Sequence, residues 1–150
     1  MRSLPHLTWL AAAALAFSGC GGGGDGLPRE PVSGTVTLDG RPLVDGSITF
    51  VPTGDEGPPV GGLIHDGTYS IARLDGPVPG PHGVSIYSQQ PTGKKFPDQA
   101  DPSVMLDERR ETIAGRYNSR SQLTAEVKAG GDNTFNFDLA SDKSAVGGRY

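Results

Sequence analysis

Along Val32–Leu38 (VSGTVTL) apolar and polar positions alternate, with Val32, Val36 and Leu38 on one side and Ser33, Thr35 and Thr37 on the other. A period of two is that of a half-buried strand, and Asp39-Gly40 ends it as a turn. A second strand is predicted over Ser47–Val51, with Ile48 and Phe50 inward, stopped by Pro52 and the polar stretch Thr53–Pro59. Gly61–Ile71 (GGLIHDGTYSI) predicts a hairpin about Asp66-Gly67, a dipeptide suited to a turn that needs positive φ at both central positions. That turn pairs His65 with Thr68, Ile64 with Tyr69, Leu63 with Ser70 and Gly62 with Ile71. Paired residues share a face, so Ile64, Tyr69 and Ile71 point to the core and His65 lies at the surface. Three further strands are predicted: Gly83–Ser88 with Val84 and Ile86 inward, Leu123–Lys128 with Leu123, Ala125 and Val127 inward, and Thr134–Leu139 with Phe135, Phe137 and Leu139 inward. The last two read as a hairpin through the glycine-containing loop Ala129–Asn133.

Seven short strands with turn signals between them argue for an all-β chain built as an antiparallel two-sheet sandwich, with a small open barrel as the alternative closure. The interval Gln89–Gln122 breaks the pattern. Ser103–Ala114 is helix-compatible in composition, yet Val104, Met105, Leu106 and Ile113 form no stripe of helical period. It reads as a long irregular loop holding about one helical turn, and loops of that length are uncommon unless functional or mobile. Ala140–Tyr150 reads as a polar tail.

Composition adds a limit and an exclusion. Of 150 residues 23 are glycine and 13 proline, close to the level that suggests disorder, but here they punctuate alternating segments instead of forming a low-complexity tract. The formal charge is −4, or −5 once Arg2 is removed with a leader, and apart from Lys94-Lys95 and Arg109-Arg110 the basic residues are scattered. Phosphate binding needs clustered basic charge, so nucleic acid is excluded as an expected partner. A single cysteine allows no intramolecular disulfide.

That cysteine, Cys20, follows Leu7–Phe17 (LTWLAAAALAF), which is free of charge and preceded by Arg2. Eleven residues are too few for a spanning helix, which takes about 20, but they suit the apolar part of an export signal. Two cleavage sites compete. Ala14-Leu15-Ala16 fits ordinary signal cleavage, releasing a chain that begins at Phe17. Phe17-Ser18-Gly19-Cys20 resembles the lipobox of bacterial lipoproteins, with Phe17 where that family usually has Leu; it would make residues 1–19 a signal peptide and Cys20 the lipidated N-terminus. Lipidation is the preferred reading, because the alternative leaves a free thiol exposed in an exported chain. Residues 20–31 then form the lipidated cysteine and its glycine-rich tether. Gly21–Gly26 matches G-x-G-x-x-G, but it neither follows a strand nor opens a helix and is a spacer by composition.

VSGTVTLDGRPL, then DGSITFVP, DGTYSI, PGPHGVSI, and finally RYN with LTAEVKAGGDNTFNFDL together resemble the carboxypeptidase regulatory-like, prealbumin-like domain of many small bacterial lipoproteins. The resemblance spans residues 32–139. It implies a seven-stranded β-sandwich with no catalytic residues and no cofactor in its motif. Where such domains show Pro-Gly-x-Tyr, this chain has Pro79-Gly80-Pro81-His82, so His82 is expected to take the tyrosine's packing place.

No zinc-protease, nucleophile-elbow, P-loop or EF-hand motif occurs. Asp107, Glu108 and Glu111 are interleaved with Arg109, Arg110 and Arg116, which reads as a solvated, self-neutralising loop. The Asp-Gly pairs at Asp39, Asp45, Asp66 and Asp75 read as turns and not as calcium ligands. The expected function is that of a non-enzymatic, membrane-anchored envelope protein serving as a structural or protein-interaction module. A glycan or small-ligand module is the alternative, favoured if Tyr87 and Tyr117 are exposed and close together and deprived of that basis if they are buried or distant; an enzyme is the least expected.

Overall fold

The computed structural model describes residues 26–54 and 57–142. Cys20, both cleavage readings and most of the glycine tether lie outside these residues, as does the tail beyond Asp142. Among the described residues there is no α-helix, and no helix is long and apolar enough to cross a membrane.

The fold is all-β. Strands β1 (Val32–Leu38), β2 (Arg41–Pro42), β3 (Asp45–Pro52), β4 (Val60–His65), β5 (Thr68–Ile71), β6 (Gly80–Tyr87), β9 (Leu123–Val127) and β10 (Phe137–Leu139) form one curled sheet. Its order is β10-β1-β5-β4-β3-β6-β9, with β2 on β1. Between β6 and β9 the chain makes a separate two-stranded ribbon, β7 (Gln89–Pro97) and β8 (Met105–Glu111).

Two turns set the corners. Asp39 (φ 51°) and Gly40 (φ 76°), and likewise Asp66 (φ 47°) and Gly67 (φ 74°), take the left-handed pairs that Asp-Gly tolerates. The Asp66-Gly67 hairpin does pair His65 with Thr68, but the ladder ends there. β4 continues along β3, with Ile64 opposite Gly46, whereas β5 continues along β1, with Tyr69 opposite Gly34. The buried side chains of Ile64, Tyr69 and Ile71 fill the space where the two strands part. This divergence curls the sheet, so that Phe50 of β3 meets Tyr69 of β5 at 6.1 Å and Phe135 at 6.2 Å between ring centres. Val36, Ile48, Val84, Ile86 and Val127 complete one continuous core.

Three expectations are corrected. The strands at the end of the chain are not a hairpin: β9 pairs antiparallel with β6, while β10 pairs parallel with β1, Val36 opposite Phe137. The sheet is therefore not purely antiparallel. The reason lies in Asn133, buried to 4 % exposure, whose side chain accepts from the Lys128 N–H at 2.8 Å and donates to the Lys128 carbonyl at 3.0 Å. The chain is thereby turned across the core instead of back along β9. It then lies against β1 through Ser33 N–H to Asn133 O (3.1 Å) and Phe135 N–H to Ser33 O (2.9 Å).

The second correction concerns Gln89–Gln122, which is no irregular loop. Most of it is the β7–β8 ribbon, followed by a 3-10 turn at Gly115–Tyr117. No residue of the ribbon is buried, so its strands have no apolar face for a period-two pattern to mark. Third, Asp45-Gly46 is not a turn but the start of β3, and Asp75-Gly76 closes a 3-10 turn.

Both ends of the domain reach further than residues 32–139. Glu30 is buried, and Ser141 donates its N–H to Asp39 Oδ1 at 3.0 Å.

Candidate interaction surface

Ser88 is where the ribbon leaves the sheet, and its polar atoms are all engaged. Its hydroxyl donates to the Asp45 carbonyl (2.5 Å), its N–H to Glu111 Oε1 (3.0 Å), and its carbonyl accepts from both the N–H and the hydroxyl of Thr112 (2.9 Å each). Glu111 Oε1 also takes the Ile113 N–H at 2.8 Å. A root bonded this fully fixes the direction in which the ribbon projects.

Beyond the root the two strands are held by each other. Lys95 and Asp107 form an ion pair at 2.8 Å, Thr92 donates to Glu108 Oε2 at 2.5 Å, and Phe96 stands opposite Leu106. The Lys95 ammonium, by hydrogen bond first and charge second, draws the Asp107 carboxyl below its usual range. Of the expected carboxylate cluster, then, Asp107 pairs with Lys95 of β7 and feels Arg109 as a lesser charge, Glu108 bonds to Thr92 of β7, and Glu111 bonds to the root. At the far end Phe96 (47 % exposed), Val104, Met105 and Leu106 are all open to solvent. Asx turns close the tip: Asp98 accepts from the Ala100 N–H, and Asp101 from the N–H and hydroxyl of Ser103, which lower its pKa.

Where the ribbon meets the sheet there is an open groove of about 600 Å³. Leu63, exposed at 68 %, and Tyr87 form its apolar part. Arg109 and Gln90 come from the ribbon, and His65 faces Asp45 Oδ1 across 3.1 Å at the rim. The Gln90 amide is oriented by its donation to Ser88 Oγ at 3.0 Å.

The other singled-out residues separate. His65 is at the surface, as its place in the hairpin requires. His82 is 1 % exposed, edge-on to Phe50 at 6.4 Å, with Nδ1 3.0 Å from the Gly80 carbonyl; it fills an aromatic's packing position. Among the described residues Tyr87 and Tyr117 form no ring pair with each other. Tyr117 is half-buried against the core, stacked under the Arg116 guanidinium at 4.8 Å, and its oxygen accepts the Ala140 N–H at 3.2 Å. Those two donors, Arg116 first, lower its pKa. Arg116 also pairs with Asp142.

Among the described residues no three His, Cys, Asp or Glu side chains converge as metal ligands. The ribbon escaped sequence reasoning, although Pro91, Gly93 and Pro97 mark its edge and bulge positions in retrospect. In comparisons with family models, with characterised proteins and with solved structures, nothing matches this chain.

Proposed function

We propose that this is a non-enzymatic, lipid-anchored protein of the cell envelope, acylated at Cys20, whose domain is a prealbumin-like sandwich acting as a protein-interaction module. The sandwich reading is supported by the seven-strand path of the curled sheet and by Phe50 of β3 packing on Tyr69 of β5 and on Phe135, just before β10. The anchor rests on the apolar segment ending at Cys20 and on the glycines that follow it. A single acyl chain holds a protein only marginally, so stable attachment at Cys20 takes more than one.

The observation that carries the interaction reading is the ribbon. An isolated two-stranded ribbon is marginally stable in water, and this one exposes four large apolar side chains at its end, where monomeric surfaces rarely gather them. Two measurements test the proposal. Wild type should partition with membranes and carry acyl mass, both lost in Cys20→Ser; a wild-type chain beginning at Phe17 without acylation refutes the anchor. A photo-crosslinker at Phe96 should trap partners in the intact envelope while one at the exposed Leu74 does not; equal or absent capture refutes the module.

A second reading is favoured by the groove: an exposed aromatic beside an oriented amide and a guanidinium group suits a saccharide. Saturable binding of envelope polysaccharide that is lost in Tyr87→Ala would support it, and no binding would remove it.

A further inference from the structure

The two edges of the ribbon are unequal. At the root the Thr112 N–H bonds to the Ser88 carbonyl, and at the tip the Asp98 N–H bonds to the Val104 carbonyl at 2.8 Å. Even-numbered residues of β8 therefore turn their backbone groups toward β7 at both ends, and by the alternation of an antiparallel ladder Met105, Asp107, Arg109 and Glu111 turn theirs outward. On β7 the residues opposite these are Pro97, Lys95, Pro91 and Gln89. Two of the four outward positions on β7 are thus prolines, which have no N–H to offer, and a third is a lysine; these are the devices that keep an edge from pairing. The β8 edge has neither proline nor lysine, and among the described residues β8 pairs with β7 alone.

Its charges run Asp107-Glu108-Arg109-Arg110, acidic then basic. Two antiparallel copies of a strand can pair only in registers that match outward residues with outward residues. With the two-fold axis at Asp107, two aspartates face each other; at Arg109, two arginines do and Asp107 meets Glu111 twice, like charges that outnumber the two Glu108–Arg110 pairs of that register. With the axis at Glu108, Asp107 of each copy faces Arg109 of the other, twice, and Leu106 lies over the stem of Arg110. The two Glu108 side chains then oppose one another, but each is already turned to Thr92 of its own ribbon and has the other copy's Arg110 as diagonal neighbour. We propose that β8 is a self-pairing edge: two copies of this chain join β8 to β8 about Glu108, making a four-stranded antiparallel sheet from two ribbons. The contact is isologous and closes as a dimer, by strand addition. It rests on the interaction-module reading and names the partner as a second copy.

The test is the mass of the full chain in solution by sedimentation velocity and native mass spectrometry. Wild type should dimerise. Asp107→Arg and Arg109→Asp should each be monomeric, with dissociation constants raised at least about tenfold, since both inter-copy pairs become like-charged. An equimolar mixture of the two variants should recover dimers, now mixed, because both inter-copy pairs between unlike variants are again of opposite charge. That recovery also shows that the ribbons of the variants are folded. A monomeric wild type, a dimer indifferent to either substitution, or a mixture that stays monomeric overturns the proposal. If Phe96 still captures envelope partners in that event, the module stands and only the self-partner falls; if capture fails too, both fall.

Discussion

Glu30, in the stretch that reads as tether, is 6 % exposed and clasps two distant parts of the domain. Its Oε1 accepts the Gly130 N–H at 2.8 Å, and its Oε2 lies 2.8 Å from Arg73 Nη1, whose own hydrogen bond goes to the Arg29 carbonyl at 3.0 Å. Its N–H reaches the Pro77 carbonyl at 2.9 Å, a bond that survives side-chain truncation. Glu30→Ala removes a charged acceptor from a backbone donor, a loss of about 2 to 3 kcal/mol. The Arg73 side chain is 59 % exposed, so that half of the clasp contributes no more than a surface pair, about 0.2 to 1 kcal/mol. Glu30→Gln keeps the acceptor for Gly130 and should cost about 1 kcal/mol, and Arg73→Ala less than that. At about 4 °C per kcal/mol for a domain near this size, Glu30→Ala, which loses both halves, should lower Tm by about 9 to 16 °C, with the other two well above it. Calorimetry and urea unfolding of the three variants read the order. If Arg73→Ala matched Glu30→Ala, the ion pair and not the backbone clamp would hold the linker; an unchanged Glu30→Ala would mean that the linker is no part of the fold.

Gly34 lets Phe135 approach β1: a Cβ there would stand 1.8 Å from the Phe135 carbonyl oxygen, whereas at Gly83 the nearest atom is at 3.9 Å. Gly34→Ala should therefore cost about 3 kcal/mol or more and Gly83→Ala less than about 1 kcal/mol in urea unfolding; similar costs would contradict the parallel β1–β10 packing. His82→Phe should stay within about 1 kcal/mol of wild type, exchanging one hydrogen bond for an aromatic of similar shape, while His82→Ala should cost about 2 to 4 kcal/mol; the reverse order in thermal melts would deny it a packing role. Burial raises the Tyr69 phenol far above its ordinary value, so the folded state keeps this proton after the unfolded state, titrating near 10, has lost it. Its contribution is complete below about pH 10 and fades as pH rises beyond that. Tyr69→Phe, which loses the 2.8 Å bond to the Phe135 carbonyl, should cost about 1 kcal/mol at pH 8 and flatten the alkaline fall seen in wild type; identical slopes above pH 10 would refute the assignment.

Local pattern and tertiary context divided this protein in a definite way. Wherever a strand buries one face, alternation was enough: Val32 and Val36, Ile48 and Phe50, Val84 and Ile86, Ala125 and Val127 all point inward as their spacing requires. The two turns at Asp39-Gly40 and Asp66-Gly67 were equally legible, because left-handed φ is a property of those residues themselves. His65 and His82 followed from their neighbours in the strands. Which strand lies beside which did not. Alternation is the same whether β10 pairs with β9 or β1, and that choice fell to the Asn133 side chain and to the fit of Phe135 between Phe50 and Tyr69. The ribbon was hidden for the opposite reason: with both faces in water, β7 and β8 carry no apolar period, and only their cross-strand pairing and the bonds of Ser88 make them strands. Burial leaves its mark on the order of residues, and pairing between distant segments does not.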